Sequence, residues 1–436
     1  MDSKLFTRRH VAMAIGTLPL SVGIARARPI AGTSARITDF GAVADGAKIA
    51  TPAIQATIDD LAKRGGGTVI VPAGVFVSGA IFLKPSVHLH LERGAVLKCS
   101  TDMTNFPPQR TRIEGHFEER FTPALINASG CDGLKITGSG TLDGAGRPIW
   151  DQFWKLHDAA PDPGNFPNLG LPRARLALIE HSRGVTVEGI TFKDSQFWNL
   201  HIYRCEDVLV RQVRFVVPDD YKQAPSTDGI DLDSCRRVTI DGCYFSVTDD
   251  CIAAKGTKGP FALQDKDSPP VEQIRVRNCE FRRGHHAFAC GSEATVVRDV
   301  VVENCRITGA VVLAMFKLRP DTPQTYENIQ FRNITLDSDG GTIVNILPWT
   351  QYRDLKGAKP PLSNVRNVTF DGIRGRFGAL GAIRPNPGQT TIGGIVLQNF
   401  DVRLQQPALA VAGSPGVQFR NVRINGAPAT APGTSG

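Results

Sequence analysis

The 436-residue sequence predicts an all-β fold, a solenoid of stacked parallel strands (a parallel β-helix) with an N-terminal capping helix. Three observations predict this class. A short phrase of alternating apolar residues recurs along the chain, no helical period separates its copies, and 44 Gly with 29 Pro supply many more turns than a helical bundle needs. Length alone suggests about three domains, but a continuous repeat reduces that number to one solenoid.

Residues 1–27 have the pattern of an export signal. Basic residues up to Arg9 precede an apolar run at 11–24, which is too short to span a bilayer, and a small-x-small cleavage site follows at 25–27. The paired Arg8 and Arg9 hint at the twin-arginine route. We expect a signal peptide at 1–27, a β-helix catalytic domain at 28–436, and a periplasmic or secreted protein. A frayed N-terminus is the alternative.

The next segment predicts the cap. In residues 51–65, Thr51 is placed to act as N-cap, Pro52 as the first helical residue and Gly65 as the C-terminal stop. Apolar residues at 54, 58 and 61 share one face. The end of a solenoid exposes unpaired strand edges. We therefore expect this helix to cover the first coil, within an N-terminal cap spanning about residues 36–100.

The repeat itself begins clearly at residue 185. Its copies start 22 to 39 residues apart, which fits a core period near 22 with insertions, and such a turn holds three short strands. A propeller blade would need about 40–45 residues. Asn recurs at one turn of the repeat, and we expect these side chains to stack from coil to coil. The copies start at 185, 208, 238, 274, 300, 329, 368, 395 and 417, and the Asn residues are Asn278, Asn304, Asn333, Asn399 and Asn421.

Two insertions, 102–123 and 145–175, interrupt the coils. Loops on one side of a solenoid usually border its binding face, although they can also be tolerated surface loops. The nine cysteines form no CxxC and are odd in number, so we interpret them as small buried hydrophobes. A disulfide or two in an oxidising compartment stays open.

Carboxylates concentrate in one stretch, because residues 219–250 contain eight Asp and no Glu. Asp228 precedes Asp249 and Asp250 by about one coil, so the three should be neighbours on adjacent rungs roughly 4.7–4.9 Å apart. His285 follows about one coil later once an insertion is removed. Lys317 and Arg319 lie a further coil along, with spacing that places both on one strand face.

Crowded carboxylates predict acid–base chemistry. Like charges raise the pKa of one group, which makes a general acid, while an ionised neighbour can activate water. Glycoside hydrolysis uses this equipment. Both Asp249 and Asp250 reach the site only if the backbone turns there. Turn residues are the alternative interpretation of these Asp. For His88 and His90, ordinary strand packing is favoured over a metal site, because no third ligand is evident.

These residues resemble glycoside hydrolase family 28, the polygalacturonase family. The resemblance covers nearly the whole mature chain, including Phe40-GAVADG, Leu142-DGAGRPIW and Asp194-SQFWNLH. The four site motifs of the family are Asn-Thr-Asp, Asp-Asp, Gly-His-Gly and Arg-x-Lys. Here they read Ser226-Thr227-Asp228, Asp249-Asp250, Gly284-His285-His286 and Met315-Phe316-Lys317. The resemblance implies a single-stranded right-handed parallel β-helix and an inverting hydrolase of pectin.

The resemblance also implies roles. Asp249 would be the general acid, Asp228 and Asp250 would hold and activate the water, His285 would assist near the acid, and Lys317 would bind the substrate carboxylate. Three departures alter the substrate pocket, since Ser226, His286 and Met315 replace Asn, Gly and Arg. Arg319 is predicted to replace the lost cation. A branched or mixed pectic fragment, or an exo-acting mode, fits as well as plain polygalacturonate.

Two rival functions stay open. A polysaccharide lyase on the same fold would cleave uronides with Ca²⁺, which the Asp cluster could hold, and a non-catalytic β-helix would only bind polysaccharide. No nucleotide-binding fingerprint or P-loop occurs, and no basic stripe with aromatics suggests nucleic acid. We expect no cofactor, no membrane association, a monomer, and an acidic pectic polysaccharide or oligosaccharide as the partner.

Overall fold

The computed structural model describes residues 33–163, 166–413 and 416–432, so the predicted signal peptide at 1–27 lies outside the described residues. Two α-helices occur there, α1 (Thr51–Lys63) and α2 (Arg147–Asp158). The strands before residue 212 are β1 (Ser34–Arg36), β2 (Asp45–Ile49), β3 (Gly67–Val71), β4 (Gly74–Ser78), β5 (Ile81–Leu83), β6 (Val87–Leu91), β7 (Ala95–Cys99), β8 (Gln109–Ile113), β9 (His116–Phe121), β10 (Ile126–Ser129), β11 (Lys135–Gly138), β12 (Thr141–Asp143), β13 (Ala177–Glu180), β14 (Thr186–Glu188), β15 (Thr191–Lys193), β16 (Leu200–Tyr203) and β17 (Glu206–Arg211).

The remaining strands are β18 (Arg214–Val216), β19 (Ile230–Asp233), β20 (Arg236–Asp241), β21 (Tyr244–Ser246), β22 (Ile252–Lys255), β23 (Val271–Arg277), β24 (Glu280–Arg283), β25 (His286–Cys290), β26 (Val296–Glu303), β27 (Arg306–Ile307), β28 (Val312–Leu318), β29 (Thr325–Asp337), β30 (Thr342–Pro348), β31 (Ser363–Ile383), β32 (Thr390–Val411), β33 (Val417–Ile424) and β34 (Ala427–Pro428).

The strands form the predicted right-handed parallel β-helix, in which each coil adds one strand to each of three parallel sheets. The first sheet runs β1-β3-β6-β11-β14-β17-β20-β23-β26 and continues through β29, β31, β32 and β33. The second runs β2-β4-β7-β12-β15-β18-β21-β24-β27 and the third β5-β10-β13-β16-β19-β22-β25-β28-β30. The third sheet positions the candidate site.

Apolar side chains stack inside the coils, as the repeat requires. Phe192, Phe215, Phe245 and Phe281 form one column with ring centroids 5.0, 5.1 and 5.1 Å apart. Each ring is buried from water by the coils above and below it, so no coil is stable alone. All nine cysteines are buried with free thiols, which confirms their interpretation as small hydrophobes.

Asn side chains stack in two segments rather than in one continuous column. Asn333 donates through Nδ2 to Oδ1 of Asn304 at 3.3 Å, and Asn421 does the same to Asn399 at 3.0 Å. Gly372 interrupts the column between Asn333 and Asn399, because it occupies the equivalent turn without a side chain. The predicted ladder is therefore confirmed for these two steps, whereas Asn278 donates instead to Oδ1 of Asp241 at 2.7 Å.

Two rows of charge, which we call the charge checkerboard, cover the outer face of the first sheet. Signs alternate from coil to coil in each row and are opposite between the rows within a coil, and several neighbours pair at 2.6–2.9 Å. The rows are Glu188, Arg211, Asp241, Arg277, Glu303, Arg332 and Asp371, and Arg183, Glu206, Arg236, Glu272, Arg298, Glu327 and Arg366.

Helix α1 is the predicted cap, with Ile54, Ile58 and Leu61 buried against the first coils. One detail differs from the prediction. Thr51 is the first helical residue rather than the N-cap, because its hydroxyl accepts from the Gly79 amide at 2.7 Å instead of from the helix. No helix among the described residues is long and apolar enough to cross a membrane.

Candidate active site

The candidate site lies at the turns that lead into the third sheet, on successive coils. The amide of Gly229, next to Asp228, donates to the carbonyl of Asp250 at 2.8 Å, and the amide of His285 donates to the carbonyl of Asp249 at 2.9 Å. These bonds place the four predicted groups on three neighbouring coils. The predicted adjacency of Asp228 with Asp249 and Asp250 is confirmed.

The backbone bends at residues 248–249, between β21 and β22. Because of this bend, Asp249 and Asp250 both face the same cavity instead of opposite sides of a strand. The amide of Asp250 donates to Oδ1 of Asp249 at 2.9 Å, which fixes the orientation of that carboxylate. A Cβ at Gly284 would lie 2.5 Å from Sγ of Cys251, so a glycine is needed to bring His285 alongside.

The carboxylates line a cavity of about 490 Å³, which we call the main cavity. Both predicted insertions contribute walls. Glu114 comes from the β8–β9 hairpin, Phe153 and Trp154 come from α2, and Trp349 and Tyr352 come from the segment after β30. The insertions therefore border the site, and neither the hairpin nor α2 was predicted within them.

His285 and Asp249 form a pair at the mouth of the cavity, with His285 Nδ1 3.2 Å from Asp249 Oδ1. The His285 side chain is 62% exposed and that of Asp249 29% exposed. The hydrogen bond to Asp249 and its charge raise the pKa of His285 to about 9. Burial would raise the pKa of Asp249, but His285 outweighs burial and lowers it. The pair therefore shares one proton at neutral pH.

Asp250 is buried and held on both oxygens. Lys317 Nζ donates to Oδ2 at 2.8 Å, and the ring of His286 contacts Oδ1 through Nδ1. Burial opposes ionisation, yet Lys317 and His286 together hold the pKa of Asp250 well below its ordinary value. Asp250 is thus an ionised carboxylate with two cationic or polar partners.

Asp228 differs from both. It is buried, and burial together with the charges of Asp249 and Asp231 raises its pKa well above the ordinary value. Crowding was expected to raise the pKa of one carboxyl, and this carboxyl is Asp228 rather than the predicted general acid Asp249. Its nearest cation is Lys255, with Nζ 3.7 Å from Asp228 Oδ2.

Sequence reasoning missed three charged residues of this region, namely Lys255 and Asp231, which act on Asp228, and Glu293, which pairs with Lys255. The signal that could have found two of them is strand alternation. Ile230 and Leu232 point into the core, so Asp231 between them points outward, and Lys255 follows the same alternation on β22. Glu293 follows β25 outside any strand, and no comparable pattern marks it.

Arg319 does not line the main cavity, which corrects its predicted placement beside Lys317. It follows the end of β28 and is 1% exposed, paired with Asp321 at 2.7 and 2.8 Å. Nη1 and Nη2 of the same guanidinium also donate to the carbonyls of Gln351 and Tyr352, respectively. Because the strand ends at Leu318, the two-residue spacing does not place Arg319 beside Lys317. Arg319 instead supports the loop that carries Tyr352.

The three departures from the family motifs have local consequences. Ser226 donates to Oδ1 of Asn168, so an amide from the second insertion stands beside the position where the motif has Asn. His286, where the motif has Gly, contacts Asp250. Met315, where the motif has Arg, packs among Ala253, Ala289 and Trp349. An apolar side chain therefore stands where the motif has a cation, packed behind Trp349, which lines the cavity.

Asp249, Asp250 and His285 have ligand atoms within 4.8 Å of one another, and this is the group among the described residues that could hold a metal ion. His88 and His90, for which a metal site was the alternative, have ordinary partners. His90 Nδ1 lies 3.0 Å from Oγ1 of Thr137, and His88 Nδ1 accepts from the amide of Lys135 at 3.3 Å. This agrees with plain strand packing for His88 and His90.

Comparisons with known proteins give a consistent picture. The family model described as "Glycosyl hydrolases family 28" matches residues 68–410. A "Probable polygalacturonase" of Vitis vinifera is 29% identical over 62% of this chain, although the match spans only 54% of that protein. An "Exopolygalacturonase" of Zea mays is 24% identical over 79% of this chain and 77% of its own. The crystal structure of a hyperthermoactive exopolygalacturonase from Thermotoga maritima matches 91% of this chain and 92% of its own, with a TM-score of 0.74 and 24% identity.

Proposed function

Because the chain belongs to glycosyl hydrolases family 28 and is therefore a glycosidase, we propose that it hydrolyses α-glycosidic bonds of galacturonic-acid-containing pectic polysaccharide or oligosaccharide. The observation that carries the proposal is the main cavity itself. Three carboxyl groups, of Asp228, Asp249 and Asp250, converge there with Lys317 and His285 beside them. The polygalacturonase names of the curated relatives support the choice of substrate.

The mechanism we propose is inversion by single displacement. Asp228 and Asp250 lie in step on adjacent coils, deep in the cavity, and hold the water that attacks the sugar. Asp249 lies nearer the mouth and protonates the leaving oxygen. An inverting pair of carboxyl groups stands about 6.5–9.5 Å apart to leave room for that water. The difference in depth supports the assignment, because the buried Asp228 and Asp250 are placed to hold water and the partly exposed Asp249 is placed to meet the leaving group.

The acid draws its proton from the pair with His285. Since the pKa of His285 is about 9, the pair holds one proton at neutral pH, mostly on the imidazole. Substrate entry displaces water from Asp249 and adds the negative charge of a uronate, and both changes favour a neutral carboxyl. The proton then moves to Asp249, which delivers it to the leaving group.

Lys317 pairs first with Asp250, before substrate binds, and then with the carboxylate of the bound uronate. Without substrate its ammonium binds Asp250 at 2.8 Å. A uronate carboxylate competes with Asp250 for the same ammonium. As the ammonium moves toward the uronate, the pKa of Asp250 rises toward a value useful for a general base. Substrate binding thereby activates the group that accepts the proton of the water.

The shape of the cavity supports an exo-acting mode. The Tyr352 hydroxyl donates to the carbonyl of Phe166 at 2.7 Å, so the loop after β30 meets the second insertion across one side of the cavity. Such a contact blocks the path of a long chain and leaves room for a chain end. Relatives named exopolygalacturonase agree with this mode.

Product analysis on a panel of pectic oligosaccharides tests the proposal. We expect galacturonic acid as the early product, released with inverted anomeric configuration, when products are followed by mass and by NMR. An unsaturated product that absorbs in the ultraviolet and disappears with chelator would establish a lyase instead. Absence of turnover on every pectic substrate would leave only polysaccharide binding.

We propose export as the location of this activity, because pectic polymers lie outside the cell and residues 1–27 have a signal pattern. Fractionation of cells that express the full chain checks it. Replacement of Arg8 and Arg9 by Lys should retain the protein in the cytoplasm if the twin-arginine route is used. Unchanged export of that variant would contradict this route.

A further inference from the structure

A second lysine lines the main cavity on the side of Asp228. Lys255, the last residue of β22, is 6% exposed and its ammonium is surrounded by three carboxylates. Nζ lies 3.5 Å from Asp231 Oδ1, 3.7 Å from Asp228 Oδ2 and 3.7 Å from Glu293 Oε2. It also lies 4.6 Å from the centre of the Trp198 ring. Burial of an ammonium costs desolvation free energy, and the surrounding carboxylates offset that cost.

Lys255 and Lys317 each combine a tryptophan ring with a carboxylate partner, although Lys317 is hydrogen-bonded to its carboxylate and Lys255 is 3.5–3.7 Å from three. Lys317 stands 4.8 Å from the centre of the Trp349 ring and binds Asp250, just as Lys255 stands over Trp198 and faces Asp228. Each of the two carboxyl groups that hold the water thus has its own lysine, supported by a tryptophan face.

The groups that face this cluster come from several elements. Asp228 meets Lys255 and, in order of influence, the charges of Asp249, Asp231 and Asp250. Glu293 is shared with Lys258 at 3.8 Å and accepts from the Ser292 hydroxyl at 2.6 Å, so it has partners besides Lys255.

Asp231 has the ion pair with Lys255 at 3.5 Å but no hydrogen bond of the kind that Ser292 gives Glu293. Both of its carboxylate oxygens are buried without a hydrogen-bond partner. Its pKa is raised to about 7, chiefly by burial, with Lys255 as the main opposing charge. Burial of a carboxylate without a hydrogen bond costs free energy, and the groups that offset this cost at Asp231 are the ammonium of Lys255 and the carboxyl of Asp228.

We propose that Lys255 is a positioning residue that acts through Asp228 and sets the ionisation of that carboxyl, with Asp231 as the opposing charge. Lys255 favours the ionised form of Asp228, whereas Asp231 favours the protonated form. The inference rests on the proposed function, because it gives Asp228 a reaction to serve. It differs from a role in substrate binding, in which Lys255 would contact the uronate directly.

Four variants separate these possibilities. Lys255→Met removes the ammonium and keeps the chain length, and Lys255→Arg restores the charge. Asp231→Asn removes the opposing charge while keeping the shape. Lys258→Met is the matched control, since it removes a lysine that pairs with the same Glu293, whereas the lysine that pairs with Asp228 is Lys255.

The first readout needs no activity. The carboxyl carbon of Asp228 is followed by NMR titration in protein labelled at Asp, and its signal is assigned by its loss in Asp228→Asn. We expect Lys255→Met to raise the apparent pKa of Asp228 by about one unit or more, and Asp231→Asn to lower it. Lys258→Met and Lys255→Arg should leave it close to the wild-type value.

The second readout is the pH profile of kcat and KM on oligogalacturonide. The limb that reports Asp228 should move to higher pH in Lys255→Met and to lower pH in Asp231→Asn, with KM nearly constant. Structural damage would not shift the two variants in opposite directions. Superimposable titrations of Asp228 would overturn the proposal, and so would a rise in KM alone, which indicates direct binding. An inactive wild type would refute the proposed function, and the NMR titration would still decide the role of Lys255.

Discussion

At the scale of single residues, a substrate with a good leaving group distinguishes the proposed roles of Asp249 and Asp228. Such a leaving group needs no proton from a general acid, but the attacking water must still be held. We expect Asp249→Asn to lose about 100-fold or more in kcat on oligogalacturonide, the typical contribution of a general acid. On a 4-nitrophenyl galacturonide the loss should be much smaller, because this leaving group departs without a proton. The measurement is kcat for both substrates.

Asp228→Asn is the control for that comparison. It should lose activity on both substrates, because the attacking water must be held whatever group leaves. Equal losses of Asp249→Asn on the two substrates would contradict the acid assignment and would direct attention to Asp228, whose raised pKa also suits an acid.

The pair of His285 and Asp249 predicts a pH dependence of stability. The pKa of His285 is raised to about 9 in the folded chain, above its ordinary 6.5. The stabilisation by the protonated ring is therefore fully present below about pH 6.5 and is lost as the pH rises through about 9. In denaturant titrations, wild type should exceed His285→Gln in unfolding free energy at about pH 6 and converge with it near pH 10. A constant difference would contradict the prediction.

Sequence alone predicted Asp228, Asp249, Asp250, His285 and Lys317, because coil spacing puts residues one repeat apart side by side. The predicted placement of Arg319 beside Lys317 was wrong because side chains two residues apart share a face only while the strand continues, and β28 ends at Leu318. The charges around Asp228 were not predicted, since their effect depends on burial, which the sequence shows only indirectly.

At the scale of elements, the phenylalanine column makes each coil depend on its neighbours for packing. Phe245 has a ring on either side, so Phe245→Ala leaves a cavity that the rigid coils cannot close. We expect a loss of about 3–5 kcal/mol in the free energy of unfolding, from denaturant titration. Phe261→Ala, at a ring 53% exposed, is the control, and its change should stay within about 0.5 kcal/mol. Similar losses in the two variants would argue against column packing.

Elements with a repeat were predicted better than elements without one. The strands of the coils and α1 follow from alternation and from helix start and stop residues. Helix α2 was missed because it lies in an insertion that was interpreted as loop, although Pro148 at its start and the buried Ile149, Trp150 and Phe153 mark a helix face. The β8–β9 hairpin was missed for the same reason.

At the scale of the whole molecule, the proposed exo-acting mode depends on the contact between Tyr352 and Phe166. Tyr352→Ala removes the ring and the hydrogen bond that close one side of the cavity. We expect internal cleavage to appear, seen as a faster fall in the viscosity of polygalacturonate per reducing end released. Tyr352→Phe, which keeps the ring, should change this ratio less. If Tyr352→Ala still released only monomer, the closure would lie elsewhere.

The charge checkerboard has a consequence for how such a chain can lengthen or shorten. Removal of the single coil that contains Arg236 and Asp241 would set Glu206 against Glu272 and Arg211 against Arg277, with like signs meeting in both rows. Removal of two consecutive coils would restore unlike neighbours everywhere. Between β14 and β31, coils can therefore be gained or lost without bringing like charges together only in even numbers.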